Sequence, residues 1–173
     1  MATTDRSHIA LVGLSGTGKS TVAPLLARRR GLVAVDVDRT VEQAAGTTVA
    51  SLFDELGEDA FRDLEARVLG DALDGSPAVI ATGGGAVIRA ENRERLGRRA
   101  TTVWLRADVE VLVERLRRSR ERRPLLAGDA ATALRRIAGE REPLYREVAD
   151  LVVDVGSEGP AEIAERLDRE LPA

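Results

Sequence analysis

The tightest constraint on this chain is one octapeptide, Gly13-Leu-Ser-Gly-Thr-Gly-Lys19-Ser20. It satisfies G-x-x-x-x-G-K-[ST], follows the apolar run 9–12 directly and opens the helical pattern 19–30. A strand, a glycine-rich turn and a helix in that order make a phosphate cradle. Glycines at 13, 16 and 18 let successive backbone N–H groups point inward at phosphate oxygens, and the helix adds its positive end. In such a cradle Lys19 reaches the β- and γ-phosphates, and the Ser20 hydroxyl ligates Mg2+. Lys19 is also the sole lysine, every other residue among the 26 basic ones being arginine.

The rest of the chain repeats the same alternation. Apolar runs at 9–12, 32–37, 78–81, 101–105 and 151–155 read as strands rich in Val, Ile and Leu. Between them the pattern predicts helices at 19–30, 49–56, 58–73, 91–98, 108–118, 130–140, 144–149 and 161–171. Near-continuous apolar strands separated by helices imply an α/β fold, with a parallel sheet covered on both faces. At 173 residues there is room for one such domain, and no linker or internal repeat divides it. Two segments stand apart. Residues 40–74 form a helical insertion between the second and third strands, and the Arg-rich stretch 118–128 has the composition of a mobile lid or of a solvated loop.

Composition removes other chemistries. With no Cys there is no disulfide, thiolate nucleophile or cysteine-bound zinc, and a single His, His8, leaves no histidine metal cluster. A net charge of −3 gives no overall field to attract nucleic acid or an anionic membrane, so an anion site has to be local. No apolar stretch approaches a bilayer-spanning length, and the run 9–12 is too short for a signal-peptide core. A soluble cytoplasmic protein is expected.

Two further segments gather chemistry near strand ends. In Asp36-Val37-Asp38, at the end of the second strand, alternation sends both carboxylates the same way, toward the edge where ligands bind in open α/β sheets. One suits a metal shell, the other a nucleophilic hydroxyl, although a helix start would use the same residues as caps. Thr82-Gly-Gly-Gly85 follows the third strand, where three glycines serve either a close backbone approach or a tight turn.

Beyond the cradle, the chain carries D-x-D at Asp36 and Asp38, then G-E-x-x-F-R-x-x-E with Gly57, Glu58, Phe61, Arg62 and Glu65. Gly83 to Gly85 come next, then Arg123-Pro124-Leu125-Leu126, then R-x-P-L-Y from Arg141 to Tyr145. In this order the motifs resemble those of shikimate kinases, small P-loop kinases that move the ATP γ-phosphate to the 3-hydroxyl of shikimate. The resemblance runs almost end to end. It implies a monomeric single-domain P-loop kinase fold over 1–173 with a five-stranded parallel sheet, the insertion holding substrate and the lid closing over it. It also implies a place in chorismate and aromatic amino acid biosynthesis, with ATP and shikimate as substrates and Mg2+ as cofactor.

Residue by residue, the resemblance gives Asp38, Arg62, Gly83, Gly84, Gly85 and Arg141 to shikimate, and Gly16, Thr17, Gly18, Lys19, Ser20 and Thr21 to ATP. Asp36 joins Ser20 at the metal, and Lys19, Asp38 and Arg123 are catalytic. The chemistry agrees with this, since two guanidiniums suit one carboxylate, and Asp38 and a glycine N–H suit hydroxyls. Glu65, three residues after Arg62, faces the same way and orients its fork. The lid arginine is Arg123, with Arg122 sharing or taking the role; Arg118 or Arg117 resembles the arginine that stacks on adenine and completes the ATP site. Phe53 and Phe61 match an apolar wall around the ring, while Trp104 and His8 read as structural.

The competing readings are another small-molecule P-loop kinase, such as a gluconate or nucleoside monophosphate kinase, a GTP-dependent switch, and a silent nucleotide binder. A switch needs N-K-x-D, which a chain whose only Asn is Asn92 and only Lys is Lys19 lacks. Intact Lys19, Ser20, Asp36 and Asp38 argue against a silent protein.

Overall fold

The computed structural model describes residues 6–118 and 129–172. Five parallel strands, β1 His8–Val12, β2 Val33–Asp36, β3 Ala78–Ala81, β4 Ala100–Arg106 and β5 Leu151–Asp154, stand in the order β2-β3-β1-β4-β5. Alternation along each strand splits the apolar side chains between two faces. Ile9, Leu11, Val79, Ala81, Val103 and Leu105 pack under helices α1 (Lys19–Arg30) and α7 (Pro160–Glu170). Ala10, Val12, Ile80 and Trp104 pack on the other side, under α2 (Val37–Ala45), α3 (Val49–Asp74), α4 (Ala90–Arg99), α5 (Val109–Arg118) and α6 (Ala130–Val148). The central strands β1 and β3 are buried throughout, as expected for a sheet with helices on both faces.

Three elements differ from expectation or refine it. The second strand ends at Asp36, which caps α2 by accepting the Arg39 N–H at 3.1 Å on its Oδ1. Asp36 and Asp38 therefore sit on a helix start and not on alternating strand positions. The two helices expected at 49–56 and 58–73 form one span, broken at Gly57 by φ 82° and ψ 172°, a conformation open to glycine and strained for other residues. The helices expected at 130–140 and 144–149 are continuous as α6, which runs through Pro143. The missing proline N–H costs one helical bond, and burial of Ile137, Ala138, Arg141, Tyr145 and Val148 along the same helix offsets it.

The strand order positions the site. β1 pairs with β3 from Ile9↔Val79 to Leu11↔Ala81, so the turns that follow these strands lie side by side. Thr82 tightens that seam, its N–H and hydroxyl both donating to Leu11 O, at 3.1 and 3.0 Å. Among the described residues no helix is long and apolar enough to cross a membrane.

Candidate active site

The cradle after β1 is closed on itself. Lys19, 7% exposed, donates from Nζ to Gly13 O at 2.7 Å and to Leu14 O at 2.9 Å, and the Thr17 hydroxyl donates to Leu14 O at 2.9 Å. Gly13 has φ +142°, and a methyl group there would collide with the carbonyl of Leu105 on β4. Only glycine lets the loop lie this close to the sheet.

Two cavities adjoin at the cradle. The first is lined by Lys19, Ser20, Thr21, Gly16, Gly18 and Asp36 among others. The second is lined by Leu14, Phe53, Phe61, Arg62, Glu65, Gly85, Leu134 and Arg141 among others. Ser15, Asp38, Val49 and Gly84 line both and form the shared wall. The structure thus brings the cradle, the D-x-D pair, Gly84, Gly85 and both arginines around two adjoining cavities.

Arg62 and Arg141 are buried, at 5% and 8% exposure. Arg62 lies over the rings of Phe53 and Phe61, at 5.7 and 5.2 Å, and the two rings touch with centroids 4.6 Å apart. Its Nη1 donates to Glu65 at 2.8 Å and its Nη2 to Glu58 at 3.3 Å, while Nε is buried without a partner among the described residues. Burial pushes the Glu65 carboxyl above its ordinary range, and the charges of Arg62 and Arg141 oppose that shift. Glu65 lies against Gly83 and Arg62 against Gly85, so a methyl group on either glycine would strike them.

Ser20 and Asp36 supply hard oxygens on one wall of the first cavity, and the Asp36 cap bond uses Oδ1. Among the described residues no three acidic or histidine side chains converge. The donor set fits Mg2+ held by few protein oxygens, the others coming from phosphate and water.

A family model described as shikimate kinase matches residues 15–172. The chain belongs to the shikimate kinase family. A shikimate kinase of Nitrobacter winogradskyi is 48% identical over 145 residues, 84% of this chain and 67% of that one. The solved shikimate kinase of Acinetobacter baumannii in complex with shikimate is 36% identical, with a TM-score of 0.89 and 95% of each chain covered. A gluconokinase of Sinorhizobium meliloti reaches a TM-score of 0.54 at 19% identity over 93% of this chain and 89% of that one, which is a likeness of fold. The α/β P-loop kinase fold expected from the motifs is the fold of this shikimate kinase relative.

One arginine beside the cradle escaped the motif reading. On α5, Arg118 turns outward to Glu114 at 2.9 Å with its side chain 79% exposed. Among the described residues of α5, Arg115 reaches the cradle, donating to Gly16 O at 3.1 Å and to Gly156 O at 2.7 Å. Helix phase carries the signal, because Arg115 is three residues after the buried Leu112. Arg122 and Arg123, with residues 119–128 of the expected lid, lie outside the described residues. His8 and Trp104 are buried at 2% exposure, in keeping with structural roles.

Proposed function

We propose that this chain transfers the γ-phosphoryl group of ATP to the 3-hydroxyl of shikimate, giving shikimate 3-phosphate and ADP. The observation that carries the reading is the shared wall of the two cavities. Asp38 and the Gly84 backbone line both spaces, so an acceptor hydroxyl in one meets a phosphate in the other. The acceptor cavity is matched to its substrate: two buried guanidiniums for a carboxylate, two phenyl rings beside the ring, a carboxylate and glycine backbone for hydroxyls.

The roles follow from placement. Arg62 and Arg141 grip the carboxylate; Gly83 and Gly85 leave room for the Glu65 and Arg62 side chains that shape its seat, and Gly84 faces both cavities. Asp38 accepts the hydrogen bond of the 3-hydroxyl and aligns that oxygen with the γ-phosphorus. As the new P–O bond forms, the bond to the β-phosphate oxygen breaks, and the hydroxyl proton leaves toward Asp38. Gly16, Thr17, Gly18 and Thr21 present the cradle to the phosphates. On nucleotide binding Lys19 exchanges the Gly13 and Leu14 carbonyls for β- and γ-phosphate oxygens and stabilises their developing charge. Ser20 and Asp36 would hold Mg2+, which when bound would neutralise phosphate charge. Arg115 borders the nucleotide side, and Arg123, which the motif resemblance assigns to a lid, would supply a positive charge to the γ-phosphate.

The same reading takes 1–173 as one domain, acting as a monomer in the cytoplasm in aromatic amino acid biosynthesis. A coupled assay of ADP release tests it, with shikimate, gluconate and a nucleoside monophosphate offered in parallel. Turnover with shikimate alone is expected; turnover with either other acceptor and none with shikimate overturns it.

A further inference from the structure

The glycine turn after β3 has an uneven set of backbone partners. Gly83 O accepts the Ala86 N–H at 3.1 Å and Gly85 O accepts the Ile88 N–H at 3.0 Å. Gly84 O, between them, accepts instead from a side chain, the hydroxyl of Tyr145 on α6, at 2.5 Å. Tyr145 is fully buried, and its ring packs on Trp104 with centroids 5.7 Å apart.

The position of that tyrosine matters more than the bond alone. Tyr145 stands four residues after Arg141 on α6, so both side chains leave the same face of one helix. A methyl group on Gly84 would sit 3.4 Å from Arg141 Nη1 and 3.4 Å from the Ser15 N of the phosphate cradle. Gly84 thus lies between the acceptor arginine and the cradle, with little more than the space of one methyl group separating it from each.

We propose that Tyr145 is a positioning residue for phosphoryl transfer, its hydroxyl locking the glycine turn to the helix that carries Arg141. This rests on the proposed shikimate kinase activity. Three consecutive glycines have the largest backbone freedom of any tripeptide, and a turn that must be ordered by substrate binds it more weakly. Pinning Gly84 O orders the turn in advance and sets its spacing from Arg141. Burial pushes the Tyr145 hydroxyl up to about 12, so it remains a neutral donor across the working pH range.

The test is Tyr145→Phe, which deletes the hydroxyl and keeps the ring on Trp104. The KM for shikimate is expected to rise about tenfold while the KM for ATP stays within about twofold. Amide hydrogen exchange across 83–86, measured without substrate, is expected to quicken. Trp104→Phe is the packing control: it is expected to lower the melting temperature and leave the shikimate KM within about twofold. A shikimate KM unmoved by Tyr145→Phe, both KM values rising together, unchanged exchange in the turn, or an equal KM effect from Trp104→Phe overturns the proposal. If the wild-type protein does not turn over shikimate, the proposed function has failed; the exchange measurement still decides whether Tyr145 orders the turn.

Discussion

Arg62 and Glu65 form a buried ion pair across one turn of α3, Nη1 to Oε2 at 2.8 Å, with the side chains 6% and 1% exposed. The pair uses only part of the fork, since Nε has no partner among the described residues and Nη2 is shared with the half-exposed Glu58. Glu65 thus fixes the direction of the guanidinium, and the Phe53 and Phe61 rings hold its plane.

Arg62→Ala is expected to weaken shikimate binding by about tenfold or more, because charge-assisted bonds in a desolvated site are worth roughly 1.5–3 kcal/mol each. It is also expected to lower stability by about 3 kcal/mol, since Glu65 stays buried without its partner. Arg62→Lys restores part of the binding, as an ammonium retains charge without the planar fork. Calorimetric titration with shikimate and with a non-hydrolysable ATP analogue, beside thermal melting, checks all three. Loss of nucleotide binding with normal shikimate binding would move Arg62 to the phosphate side.

Gly85→Ala separates the seat of Arg62 from the fold. Gly85 has φ −96°, open to alanine, yet the added methyl would collide with the Arg62 guanidinium. A long side chain yields before backbone does, so the melting temperature should change little and shikimate affinity should fall about tenfold. A large melting shift with affinity intact would show that the turn moves and Arg62 stays.

Lys19→Ala is expected to reduce turnover by at least about a hundredfold, through loss of the charge on the transferring phosphoryl group. The side chain is not a free tether, for it holds the Gly13 and Leu14 carbonyls. A stability loss of about 1–2 kcal/mol should accompany the variant. Turnover within tenfold of wild type refutes the assignment.

The start of α6 supplies a pH prediction. Asp129 caps this helix, and hydrogen bonds from the Thr132 side chain and backbone hold its carboxyl below the ordinary value of 3.8. In the unfolded chain the group binds its proton more readily, so it stabilises the fold above that value and loses the effect as pH falls through the folded one. Asp129→Asn retains a cap without the titration. The stability advantage of wild type over Asp129→Asn should therefore shrink on acidification, and melting at stepped pH reads it. An advantage that is flat or grows toward acid contradicts the sign.

What the sequence alone determined was whatever depends on short spacing. Gly13 to Ser20 between a strand and a helix specified the cradle, because the backbone turn and its N–H groups are local. Gly57 marked the break in α3 for the same reason, and the ordered motifs from Asp36 to Tyr145 carried the family. Tertiary structure decided the rest. Helix phase and a distant cradle carbonyl gave Arg115 a contact with Gly16 that its spacing does not announce, and capping by Asp36 turned the D-x-D pair onto a helix start. Packing along α6 outweighed the local penalty of Pro143 and placed Arg141 and Tyr145 on one buried face, the latter against Gly84, 61 residues away in sequence. Spacing fixes what a segment can form by itself; which of several like side chains is buried, and against what, follows from surfaces the chain assembles only when folded.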